Sequence, residues 1–204
     1  MLMKKSATVH IIYATSNRSF TIYFLQSTPM HQYPNTFTKH AFNGMTLLHA
    51  VIKYNPPIQV LESMIQAHSD AISGQDCLGR TPLHVACGVG SDSSIIRMLV
   101  RAYPEACDVQ DVDGRTPLHL ACDSECVLFE GDQTPRSPPS IGVVRALLSG
   151  SLKPVLIEDE DEMSPIEYAL VSEVDREVVK LLQLASMTLR RRIAKVDKQI
   201  AREN

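Results

Sequence analysis

The sequence predicts an all-α repeat protein: a solenoid of about four turn–helix–helix units stacked side by side. Three observations carry the prediction. The run Gly79-Arg80-Thr81-Pro82-Leu83-His84-Val85-Ala86-Cys87 returns 35 positions later as Gly114-Arg115-Thr116-Pro117-Leu118-His119-Leu120-Ala121-Cys122. A second apolar element follows the hydroxyl residue of each copy, at 14 positions in all but one. Over 204 residues the composition is 44% hydrophobic, 21% charged and 5% aromatic, with net charge -3, which suits an ordinary soluble chain and excludes collagen-like, wholly disordered and strongly basic nucleic-acid-binding classes.

The chain opens on a segment unlike the rest. Residues 1–61 carry five positive charges and no negative one, the first acid being Glu62. Short apolar runs at Val9–Tyr13 and Phe20–Leu25 flank the polar Ser16-Asn17-Arg18-Ser19, a pattern that suits a weak hairpin. Basic, hydroxyl-rich, acid-free composition also fits a targeting peptide, but an extension or weak hairpin is preferred. Residues 1–40 are therefore expected to be a basic N-terminal extension, a weak hairpin or disordered.

Repeats follow over residues 41–185. The first unit, about 43–76, holds Gly44-Met45-Thr46-Leu47-Leu48-His49-Ala50. The second, about 77–111, and the third, about 112–160, hold the two full copies. The fourth, 161–185, keeps only Met163-Ser164-Pro165-Ile166-Glu167-Tyr168-Ala169, without Gly or His. Within each unit Thr81 and Thr116 supply a hydroxyl to cap free backbone N–H groups, and Pro82 and Pro117 stand at the first helical position, where a missing N–H costs nothing. Ile95, Ile96, Leu99 and Val100 form one stripe of a second helix, which Tyr103 and Pro104 halt. Gly79 and Gly114 suit a tight turn at positive φ. In the third unit the second element lies 27 residues after Thr116, so an insertion of 13 residues falls within 123–140. It is polar apart from Val127-Leu128-Phe129, which either folds back on the stack or anchors a partner.

At Thr81-Pro82-Leu83-His84-Val85-Ala86 and Thr116-Pro117-Leu118-His119-Leu120-Ala121 the chain resembles ankyrin-repeat proteins, whose signature is T-P-L-H-x-A. The resemblance implies first helices lining a concave face, second helices behind them and β-turn fingers projecting from the array. It implies a structural role for Thr46, His49, Gly79, Thr81, Pro82, Leu83, His84, Gly114, Thr116, Pro117, Leu118 and His119, the histidines bonding turn backbone and Thr hydroxyls. It also implies partner contact at finger tips and helix ends. The second repeat then offers Cys77, Leu78, Arg80, Gly88 and Val89, and the third offers Val112, Asp113, Arg115, Asp123 and Ser124. Leu128 and Phe129 join them from the insertion. The fourth finger departs from the family's Asp-x-x-Gly turn with Glu158-Asp159-Glu160-Asp161-Glu162. That run is either a solvated tip or an attraction for a basic partner.

Catalytic and metal readings weigh less. His119-x2-Cys122-x3-Cys126 invites a zinc site, but Cys87 shares the position of Cys122 and has no counterpart to Cys126, whereas structural zinc wants four ligands. No phosphate-binding glycine loop is present, and a buried Cys behaves as a small hydrophobe. No catalytic residue, cofactor or metal is expected. Five Cys, an odd count, read as reduced thiols and an intracellular chain, cytoplasmic or nuclear. No apolar run approaches the roughly 18 residues of a bilayer-spanning helix.

The chain closes on 186–204, where Leu189, Ile193, Val196 and Ile200 recur at helical spacing among Arg190, Arg191, Arg192, Lys195, Lys198 and Arg202. This basic amphipathic helix is expected to cap the stack. The whole reads as a non-enzymatic scaffold for an unidentified protein partner. It is expected to be monomeric, with a weak C-terminal coiled-coil dimer as the alternative. The rival function is a targeting or nucleic-acid-associated adaptor acting through the basic ends.

Overall fold

A computed structural model describes residues 44–54, 56–129 and 136–203. The N-terminal extension 1–40 and the middle of the insertion lie outside the described residues. Eight α-helices are described: α1 Leu47–Lys53, α2 Ile58–Ala67, α3 Pro82–Gly88, α4 Ser93–Ala102, α5 Pro117–Cys122, α6 Ile141–Gly150, α7 Pro165–Val171 and α8 Arg176–Glu203. Short 3-10 turns at Ser69–Ile72, Pro104–Asp108 and Lys153–Leu156 follow α2, α4 and α6. Among the described residues no strand occurs and no helix is long and apolar enough to cross a membrane.

The helices form two layers. First helices α1, α3, α5 and α7 pack in series, and second helices α4 and α6 pack tightly behind them, with α2 and α8 at the ends. Each short first helix, six or seven residues long, is marginal alone; capping and burial hold it. Leu48, Val51, Ile52, Leu83, Val85, Ala86, Leu118, Leu120 and Ala169 put the first-helix layer into the core, where Leu61, Ile96, Leu99, Val144, Leu147, Val178 and Leu182 meet it from behind. Because every unit buries its apolar face only against neighbours, stability resides in the interfaces between units.

Tyr103 ends α4 as expected, at φ -149°, with Pro104 opening the following 3-10 turn. The C-terminal end differs from expectation. No break occurs at residue 186: the second helix of the last unit runs on as one 28-residue helix, α8, whose start is packed and whose end is solvated. The physical reason is the lack of any Gly or Pro after Pro165, so nothing in the sequence stops the helix.

Candidate functional site

Three of the fingers are each built on one aspartate. Asp76 Oδ1 accepts from the backbone N–H of Leu78 and of Arg80, both at 2.9 Å. Asp111 Oδ1 accepts from Asp113 N at 3.1 Å and Arg115 N at 2.9 Å, and Asp159 Oδ1 from Asp161 N at 3.1 Å and Met163 N at 2.9 Å. Such side-chain-to-backbone bonds close a turn locally. Backbone bonds then join one finger to the next: Val112 N donates to Leu78 O at 2.9 Å and Glu160 N to Asp113 O at 3.0 Å. Gly79 and Gly114 take φ of 73° and 75°, as the turn requires.

The fourth finger keeps this geometry despite its acidic run. Asp159 is the buried keystone of that run, and its Oδ2 also accepts from the Tyr168 hydroxyl at 2.7 Å. Glu158, Glu160, Asp161 and Glu162 are exposed. Glu162 occupies the glycine position at φ 60°, where a Cβ is sterically disfavoured by roughly 1–2 kcal/mol, against roughly 0.5–1 kcal/mol for the added freedom of glycine. Glu162→Gly is therefore expected to stabilise the chain by about 0.5–1 kcal/mol, read as a higher denaturant midpoint.

The recurring histidine is a double tie. In a capping box the third helical residue reaches back to the N-cap N–H. His49, His84 and His119 do so through Nδ1, which accepts from the backbone N–H of Thr46, Thr81 and Thr116 at 3.1, 3.0 and 3.0 Å. That bond leaves the proton on Nε2, which donates to Arg80 O at 2.8 Å and Arg115 O at 3.2 Å in the next unit, and to Ile157 O at 3.1 Å just ahead of the fourth finger. The degenerate last copy is explained by the same geometry. Ser164 N donates to Glu167 Oε2 at 2.7 Å, completing the box, and among the described residues no further finger follows that would take a second tie. All three rings are buried, and desolvation lowers their pKa, that of His84 to about 4.

The candidate contact residues divide. Cys77, Leu78, Val112 and Asp113 stand exposed at the finger tips, Leu78 at 41% and Val112 at 51%. Arg115 is half-buried and pairs with Asp113 at 2.7 Å. Arg80 and Gly88, expected at the surface, are buried. The Arg80 guanidinium is turned inward by two contacts of 2.8 Å to Asp76 Oδ2, and its Nη1 donates to Leu128 O at 3.1 Å. Gly88 is covered by Leu128, and Val89 is half-buried beside it. Asp123 and Ser124 are half-buried at the end of α5, where Ser124 N donates to Ser172 Oγ at 3.0 Å. Leu128 and Phe129 are half-buried against the stack, so the described part of the insertion folds back on it.

Sequence reasoning passed over Asp76 and Asp111 and the clamp made by Arg136. The aspartates had a signal, since they recur at the 35-residue period. Arg136 had none. It donates to Asp123 O at 3.0 Å, Cys87 O at 2.9 Å and Leu120 O at 3.0 Å, tying the ends of α3 and α5 together. Thr134 and Pro135 lie outside the described residues. Cys87, Cys107, Cys122 and Cys126 are buried thiols, and burial pushes Cys107 and Cys122 up to about 12. Among the described residues no group of three or more His, Cys, Asp or Glu side chains is placed to hold a metal ion.

Comparison with known families agrees with this architecture. A family model for ankyrin repeats in three copies matches residues 48–129, and one for a single ankyrin repeat matches residues 113–159. No curated protein matches the chain. Stacked capping boxes, aspartate-keyed fingers and these matches across 48–159 lead to one conclusion: the chain belongs to the ankyrin-repeat family.

Proposed function

We propose that this chain is a non-enzymatic scaffold that binds another protein through its finger turns, the face of its first-helix layer and the insertion of its third repeat. Ankyrin repeats are in general protein-interaction modules. The observation that favours the fingers here is the row formed by Leu78 and Val112. These exposed apolar side chains sit on adjacent tips that a backbone hydrogen bond holds in register. The histidines, hydroxyls and keystone aspartates of the repeats are spent on internal bonds, whereas the side chains of Leu78 and Val112 are left outward. Exposed apolar groups held on a rigid edge supply contact area at little entropic cost.

Leu78→Asp combined with Val112→Asp tests this reading. Both sites are exposed, so the melt should be unchanged, while a protein captured by the unmodified chain should be recovered at least tenfold less. Undiminished recovery would remove the finger row from the interface. The adaptor reading rests on Arg190, Arg191, Arg192, Lys195, Lys198 and Arg202, all exposed along the distal half of α8. It requires nucleic-acid binding whose log affinity falls steeply with log salt, as phosphate contacts do.

A further inference from the structure

The described part of the insertion returns over the first-helix layer toward repeats it left far behind in sequence. Leu128 fills the notch above Gly88, where an added Cβ would collide with its side chain. Its carbonyl accepts from Arg80 Nη1 at 3.1 Å. The Phe129 ring lies 4.1 Å from Lys53 Nζ and 5.6 Å from the Arg80 guanidinium carbon. Residue 88 is a glycine in this repeat alone: the aligned positions 35 residues away on either side are Lys53 and Asp123. At the end of a helix without positive φ, glycine is a poorer helix former than alanine and gains nothing from its conformational freedom. The notch therefore exists for what is seated in it.

We propose that α3, with Lys53 and Arg80, forms a docking groove for an extended peptide carrying an aliphatic–aromatic pair, and that Leu128-Phe129 is its resident occupant, which a partner must displace. This deepens the scaffold reading and rests on it. The groove is built without its occupant: Asp76 orients the Arg80 guanidinium through its own finger, and Gly88 belongs to a capped helix. The occupant is held lightly. Val127 is 66% exposed, Leu128 and Phe129 are half-buried, and the polar ties are one hydrogen bond and two cation–aromatic contacts. A partner supplying an aliphatic side chain to the notch, an aromatic ring between the two cations and a carbonyl to Arg80 reproduces every contact.

Tethering sets the size of the effect. A segment on a short linker acts at an effective concentration of about 1 mM, and a competitor's apparent affinity falls with the fraction of groove left open. The test uses the full chain and a labelled, end-blocked peptide of residues 123–129 with Cys126→Ser. Leu128→Ala combined with Phe129→Ala opens the groove, and this variant should bind the peptide about tenfold or more tightly than the unmodified chain. Gly88→Ala fills the notch and should bind no peptide, while its melting temperature is no lower than that of the double variant, because both lose the segment's ties and alanine favours the helix. Affinities within twofold for the unmodified chain and the double variant, whether measurable or nil, overturn the proposal. So does peptide binding by Gly88→Ala. So does a fall in its melting temperature as large as a core truncation gives, which would make the segment part of the core. The probe comes from this chain, so failure here leaves the capture result for the finger row standing.

Discussion

Leu118→Ala is expected to destabilise the chain by about 2–5 kcal/mol, with the same range for Leu83→Ala. Leu118 lies on α5 and Leu83 on α3, each 2% exposed and wedged between two neighbouring units. Truncation leaves a cavity at an interface, and an array stabilised by interfaces has no other core to absorb the loss. Against a typical total of about 5–15 kcal/mol, one such change removes a large share. Denaturant unfolding should show a lower midpoint or a broadened transition as units uncouple. A melt identical to that of the unmodified chain would refute the placement of Leu118 and Leu83 in the inter-repeat core.

Acid should unfold the array through its histidines. In the native state His84 Nδ1 accepts from Thr81 N–H, Nε2–H donates to Arg115 O and the ring is fully buried, so the neutral form is held and the pKa falls to about 4. In the unfolded chain the same side chain takes up a proton near 6.5. The unfolded state thus binds more protons between those values. Stability is fully present above about pH 6.5 and is lost as pH falls, by up to about 1.4 kcal/mol per pH unit for each such group. For His84 the loss approaches about 3 kcal/mol near pH 4. His49 and His119 shift in the same direction and add to the slope. Denaturant titrations at pH 7, 6 and 5 should therefore give steadily falling stabilities. His84→Gln can retain the capping box but carries no titrating ring. It should cost about 1–3 kcal/mol at pH 7 for the donor that Arg115 O loses, and should flatten the pH dependence. Parallel pH profiles for the two proteins would refute the assignment.

These experiments also separate what the chain writes locally from what it does not. The hydroxyl caps, the proline starts, the stop at Tyr103 and the positive φ of Gly79 and Gly114 were legible, because each depends on residues within a few positions of one another. The finger of the fourth repeat was harder to read. Asp159 is one of five consecutive acids, and nothing in composition distinguishes the keystone from the exposed four. Only the bonds from Asp161 N and Met163 N do so. Likewise Arg80 was legible as a finger residue but not as a buried one, since the carbonyl it reaches belongs to a residue 48 positions away.

What the sequence determined by itself is the repeat: its period, its turns and its alternating layers, all set by short-range sterics and by apolar spacing copied from unit to unit. The tertiary structure alone decided the course of the insertion. Leu128 onto Gly88, Phe129 beside Lys53 and Arg136 onto the carbonyls of Cys87, Asp123 and Leu120 are mostly contacts between distant parts of the chain that occur once. Periodicity carries no record of a contact that does not recur, and only the closing of the chain on itself brings such groups within reach.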